Sequence, residues 1–263
     1  MKNITIGQFF PGNSPIHKMD PRAKLLLAIA LIVILFIIKT YIGYIAVTAV
    51  LITTIALSRV SVRFVLRGLK PLWFLIVLTF ILNLFFYSGE KILVDWWIFK
   101  IYEEGVIKAI TISIRLILLI VTTTILTLTT SPMDITAALE SLLKPLKAVH
   151  FPVHEMSLMM SIALRFIPTL MEETDRIMKA QTARGASFSE GSIIARAKGI
   201  VPILVPLFVS AFKRADDLAL AMEARCYDGG TNRTSMKKMT FSYRDLIGLV
   251  VILMLITGLF FGI

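Results

Sequence analysis

The sequence predicts an all-α integral membrane protein with about five transmembrane helices and long amphipathic helices on one side of the membrane. Three observations predict it. Hydrophobic residues make up 57% of the 263 residues and gather in runs close to span length, and crossing roughly 30 Å of hydrocarbon takes about 20 residues of helix. Lys and Arg alternate between rich and poor connecting segments. Finally, residues 131–245 show helical rather than alternating apolar spacing, yet carry too many charges to cross a bilayer.

The first span is read at residues 24–38 and the second at 41–57, separated only by Lys39 and Thr40. The third is read at 71–87, the fourth at 105–130 and the fifth at 246–263. No short apolar stretch with a small-residue cleavage site opens the chain, so the first span is expected to serve as its own insertion signal.

Orientation follows from the positive charges. The N-terminal tail carries Lys2, Lys18, Arg22 and Lys24, and the first turn holds only Lys39. The next loop has Arg59, Arg63, Arg67 and Lys70, whereas Lys91, Lys100 and Lys108 in the following loop are diluted by Glu90, Asp95, Glu103 and Glu104. Residues 131–245 are basic again. This alternation places the N-terminus and residues 131–245 in the cytoplasm and the C-terminus outside. The net charge of +11 is thus a matter of topology rather than of nucleic-acid binding. The domains expected are a transmembrane region, 1–130, a cytoplasmic region of about three helices, 131–245, and a C-terminal span, 246–263.

Within the cytoplasmic region, Ser131 as N-cap and Pro132 at the first helical position open a helix to about residue 144. A second helix runs 153–183, with Pro168 expected to kink it. A third runs 189–225 and is expected to break around Pro202 and Pro206. The Met-rich face of the second helix (Met156, Met159, Met160, Met171, Met178) suits either a surface that packs against changing partners or a fixed intrachain core.

Catalytic chemistry is missing from the sequence. No G-x-x-x-x-G-K-[ST], H-E-x-x-H or G-x-S-x-G occurs. His150 and His154 are separated by Pro152 and lack a third ligand nearby, so no metal, cofactor or catalytic residue is expected, and the chain is read as a non-enzyme. A membrane enzyme would have only the acidic clusters around Glu172 and Asp216 to use, and these read more simply as the solvated or partner-facing sides of amphipathic helices. A stand-alone permease or channel is the alternative reading, but for the ionisable groups a carrier needs the spans offer only Arg115, beside the neutral amide Asn83, and Arg115 lies where it can snorkel. Cys226 is the only cysteine, so no disulfide forms within the chain.

What remains is a repetition. The second helix ends Ala180-Gln181-Thr182-Ala183-Arg184-Gly185, and the third ends Ala221-Met222-Glu223-Ala224-Arg225-Cys226. Two explanations stay open. Each arginine can simply complement the helix dipole, with Gly185 as an αL stop. Alternatively, two similar knobs imply two similar sockets on a dimeric or pseudo-dimeric partner, gripped bidentately by guanidinium.

Three stretches resemble the transmembrane T subunit of energy-coupling factor (ECF) transporters. They are Pro11-Gly12-Asn13-Ser14-Pro15-Ile16-His17-Lys18-Met19-Asp20-Pro21-Arg22-Ala23-Lys24, then Arg165-Phe166-Ile167-Pro168 through Ala183-Arg184-Gly185, and Pro206-Leu207-Phe208 through Ala224-Arg225-Cys226. The resemblance implies that residues 131–245 form a coupling domain in a bacterial cell membrane. It further implies that the two Ala-Arg endings dock into two ABC-type ATPases, a homo- or heterodimer, and that a substrate-binding S component in the lipid bilayer selects a vitamin or metal ion. Ala183, Arg184, Gly185, Ala224, Arg225 and Cys226 are then the ATPase-coupling residues. Cys226 departs from the family pattern, where Gly is usual; being small, it is expected to keep the docking.

Overall fold

The computed structural model describes residues 9–87, 92–96, 99–149, 151–186, 193–229 and 239–260. They fall into two compact units, residues 1–142 with 239–263, and residues 143–238. The first unit is a bundle of apolar helices. Helix α1 (Pro21–Ile37) begins where Asp20 accepts a hydrogen bond from the Arg22 N–H at 2.9 Å with Pro21 at the first helical position. At 17 residues it is about 25 Å long, short of a full hydrocarbon core. Helix α2 (Tyr41–Ser58) ends at Arg59 in the left-handed region, φ 54°.

Helix α3 (Val62–Leu69) passes through a 3₁₀ turn at Lys70–Leu72 into α4 (Trp73–Phe86). The third span therefore starts nearer Val62 than the expected residue 71. Pro71 has no N–H to donate, and the chain absorbs that loss in one tightened turn without stopping. Arg63 and Arg67 made α3 look like a loop; in the structure it is amphipathic, with Val65 buried. It also approaches the long helix α5 (Glu103–Thr129) closely, since a Cβ on Gly68 would lie 2.6 Å from the Thr124 hydroxyl.

Before α5 stands a feature the sequence reading passed over, an antiparallel hairpin of β1 (Ile92–Trp96) and β2 (Phe99–Tyr102), pairing Val94 with Ile101 and Trp96 with Phe99. Its β-branched and aromatic residues suit strands. Among the described residues these are the only strands, so the fold is otherwise all-α. Among the described residues, three continuous stretches are long and apolar enough to cross a membrane: Tyr41–Ser58, Val62–Phe86 and Glu103–Thr129. Helix α9 (Tyr243–Phe260) completes the bundle; residues 261–263 of the expected fifth span lie outside the described residues.

Helix α5 packs against α1, α2, α3 and α4, and the core between them holds Leu35, Ile38, Val47, Leu51, Leu118 and Ile125. Its threonines are no liability in an apolar setting, because Thr122 and Thr129 each donate to the carbonyl four residues back at 2.8 Å. Arg115 donates to the Tyr44 hydroxyl at 2.6 and 3.0 Å and to the Ile38 carbonyl at 3.4 Å. It ties α5 to the turn between α1 and α2, which is a structural use of the one charged group in the interior of that span.

The stretch before α1 forms a polar clasp. The Asp20 N–H donates to Asp245 at 2.9 Å, and Asp245 also takes the Ser242 N–H at 2.7 Å. The buried Lys24 amine donates to the carbonyls of His17 and Thr129 and to the Thr130 hydroxyl. One ring nitrogen of His17 faces the Phe10 carbonyl at 3.0 Å and must donate to it; the other then accepts from the Ser14 hydroxyl at 2.7 Å. Burial lowers the His17 pKa, the Phe10 contact opposes that, and the charge of Lys24 lowers it further. Helix α6 (Pro132–Leu143) follows, opened by the Ser131 hydroxyl accepting the Asp134 N–H at 3.2 Å.

The second unit contains two helices of 31 residues each, α7 (Val153–Ala183) and α8 (Ile193–Glu223). Each is about 46 Å long. Helix α7 has the bounds its apolar spacing implies and continues past Pro168. Helix α8 corrects the expectation of a break, since it runs on through Pro202 and Pro206. Each proline removes one backbone hydrogen bond, and the remaining turns keep the helix continuous. The start expected for α8, residues 189–192, lies outside the described residues.

Candidate functional site

The six residues singled out in the sequence stand at the C-terminal ends of α7 and α8, and the same closing pair of hydrogen bonds is made at both. At the first end, the Gly185 N–H donates to the Thr182 carbonyl at 3.0 Å and the Ala186 N–H to the Gln181 carbonyl at 3.0 Å. At the second, the Cys226 N–H donates to Glu223 at 2.8 Å and the Tyr227 N–H to Met222 at 3.0 Å. These are paired five-to-two and six-to-one bonds, the Schellman closure. By that count Arg184 and Arg225 occupy the same cap position, Ala183 and Ala224 the last helical position, and Gly185 and Cys226 the left-handed position beyond.

The φ angles agree, at +86° for Gly185 and +56° for Cys226. Glycine reaches this region freely, whereas a side chain there costs on the order of 1 kcal/mol. Cys226 accepts that cost and keeps the turn. Its thiol is free and exposed. Ala183, Arg184, Gly185, Ala224 and Arg225 are exposed as well, and nothing lies within 4 Å of a Cβ placed on Gly185. Both tips therefore present a guanidinium next to a small residue, with open space around the first.

Behind the tips, α7 and α8 pack together over an apolar groove of about 290 Å³ lined by Phe166, Leu170, Ala211, Ala215, Leu218 and Met222. An ion pair crosses the helix pair, Arg214 to Glu173 at 2.8 Å. A hydrogen bond from Ser210 lowers the Glu173 pKa most, partial burial works against it, and Arg214 lowers it further. Glu173 is thus a tie between helices rather than a member of a solvated acidic cluster. The sequence reading missed this pairing; Arg214 in the third family-like stretch was its only signal. It missed also Ala186 and Tyr227, whose backbone N–H groups complete the two turns. The methionine face lies largely outside any intrachain core, with Met159 exposed by 63% and Met160 and Met171 also exposed. Phe208 and Phe212 stand exposed on α8.

Comparison with known proteins places the chain in a family. The profile of CbiQ, described as a cobalt transport protein, matches residues 12–236. A protein of Thermosediminibacter oceani is 51% identical over 258 residues, covering 98% of this chain and 97% of the relative. One from Clostridium kluyveri is 50% identical over 257 residues, covering 97% and 95%, and one from Bacillus subtilis is 47% identical over 261 residues, covering 99% and 98%. All three are energy-coupling factor transporter transmembrane proteins of the EcfT type.

Proposed function

The chain belongs to the CbiQ family, among the EcfT-type T subunits of energy-coupling factor transporters, and from that premise we propose that it is the part that converts ATPase motion into movement of a substrate-binding subunit. It is a bacterial membrane transport component, and the catalytic work belongs to other chains. Arg184 and Arg225 dock into grooves of two ABC-type ATPases, identical or different, with Ala183, Gly185, Ala224 and Cys226 shaping the approach. ATP binding changes the separation of those grooves. Helices α7 and α8, held at their tips, move with them and re-pack their exposed apolar faces beneath an S component in the bilayer.

The single observation that carries this reading is the equivalence of the two arginine tips in backbone hydrogen bonding. Helix capping alone needs neither a shared cap position for the arginines nor an exposed, small residue before each. An isologous or pseudo-symmetric pair of ATPases presents the two like sockets that two like tips require. In this reading α1 and α9 also span, the N-terminus and residues 131–245 face the cytoplasm, and the C-terminus lies outside, in agreement with the distribution of Lys and Arg.

Co-purification tests it. The tagged chain, expressed with its neighbouring genes and extracted in mild detergent, is expected to bring down two ATPase chains and a small membrane protein. Arg184→Glu and Arg225→Glu should each weaken the ATPase contact while the chain stays folded. If wild type purifies alone, or both reversals bind normally, the arginines are only caps and a stand-alone permease becomes the better reading.

A further inference from the structure

We propose that the helical bundle holds one anionic phospholipid of the inner leaflet, one of its two acyl chains in the groove between α1, α2, α5 and α9 and its phosphate against Arg244. The groove has a volume of about 680 Å³ and is lined by residues of all four helices, among them Leu31, Ala49, Thr54, Ile125 and Val251, with Arg244 at the start of α9. On α9 the lining runs from Tyr243 to Ile252, about 13 Å along the axis. That is close to the depth of one leaflet's hydrocarbon, about 15 Å.

The lining is apolar in effect as well as in composition. The Thr53, Thr54, Thr122 and Thr129 hydroxyls each donate to the carbonyl four residues back in their own helix, so they offer methyl groups rather than free donors. A polar small molecule would find few partners, whereas a hydrocarbon chain needs none.

Charge at the mouth then selects the headgroup. Lys24 also lines the groove, but its amine is engaged by two carbonyls and a hydroxyl. Asp245, beside Arg244, is engaged by the backbone N–H groups of Asp20 and Ser242. Arg244 is half-buried, its Nε donates to the Tyr243 hydroxyl at 3.2 Å and its guanidinium lies 5.2 Å from that ring. No carboxylate forms an ion pair with it among the described residues. A phosphate supplies the anion this cation lacks.

The proposal rests on the reading that the start of α9 faces the cytoplasm, but its test does not. The full chain is placed in nanodiscs with equal phosphatidylglycerol and phosphatidylcholine in both leaflets, and the lipid it retains is counted by native mass spectrometry. Retention of phosphatidylglycerol is expected to exceed that of phosphatidylcholine by about fivefold. Arg244→Gln should bring the ratio near one and Arg244→Lys should largely restore it. Ala49→Trp, at an exposed position of the lining, should displace both lipids. No retained lipid, or a ratio indifferent to Arg244→Gln, overturns the proposal whatever the orientation. So does loss of the lipid from the assembled transporter while the chain alone keeps it, an outcome that would give the groove to a partner helix.

Discussion

The C-terminal ends of α7 and α8 close with the same hydrogen bonds but different residues at the left-handed position, Gly185 in one and Cys226 in the other. Glycine makes such a turn easy and so makes it uninformative, because any helix stop can use it. Cysteine makes it costly, and a costly conformation persists only where something over-determines it. At the second end the paired bonds from Cys226 and Tyr227 hold the turn, and the Met222 that accepts from Tyr227 also lines the groove against α7. The comparison teaches that the geometry of the arginine cap is the feature kept, and glycine is one means of reaching it.

The largest effect should come from the arginines themselves. If the two tips are equivalent, Arg184→Glu and Arg225→Glu each reduce ATPase capture by at least about tenfold, the loss of a charge-assisted contact worth about 1.5–3 kcal/mol. Near-equal losses sharpen the comparison. A reversal that matters at only one tip breaks it, and would leave the other as a cap.

A smaller effect is expected from the turn. Gly185→Val forces a β-branched side chain into a φ of +86°, at a cost of about 1–2 kcal/mol. Faster hydrogen exchange at the Ala186 amide should report the opened closure, and ATPase capture should fall less than with Arg184→Glu. An unchanged amide would mean that the turn is held from outside the helix end. Cys226→Gly runs the other way. It relieves the positive-φ cost and should stabilise the second end by about 0.5–1 kcal/mol, read as slower exchange at Tyr227 with capture unchanged. Weaker capture in that variant would assign the thiol a contact of its own.

These tips were legible from the sequence because a helix end is local: apolar spacing fixes α7, and Ala-Arg before a stop fixes its last turn. Other features depend on residues far apart. The Asp20–Asp245 bond joins positions separated by 225 residues, and nothing in either neighbourhood announces the other. Prolines misled in both directions. Pro202 and Pro206 read as breaks in α8, and Pro71 read as the start of a span, yet the helices run through or past them. A proline costs one hydrogen bond and some strain, a sum that many flanking turns outweigh and that no local rule can total. The hairpin at residues 92–102 was hidden for the opposite reason, since its charged neighbours directed attention to topology.

The smallest effect concerns what keeps the two tips in one frame. The Arg214–Glu173 pair links α8 to α7 at partly exposed positions, so solvent screening limits its worth to about 0–1 kcal/mol. Glu173 is held below its ordinary pKa, first by the Ser210 hydrogen bond. The folded state therefore keeps the carboxylate charged to lower pH than the unfolded chain does. The stabilisation is fully present above the ordinary glutamate value and fades as pH falls through the folded one. Wild type and Glu173→Gln should thus differ slightly in thermal midpoint at pH 7, and the difference should shrink as pH falls below the ordinary glutamate value. In the variant, tip exchange at Ala186 and Tyr227 should stay slow, because each closure is made within its own helix. Simultaneous loosening of both tips would show instead that the inter-helix tie, rather than the local turn, sets the geometry of the arginines.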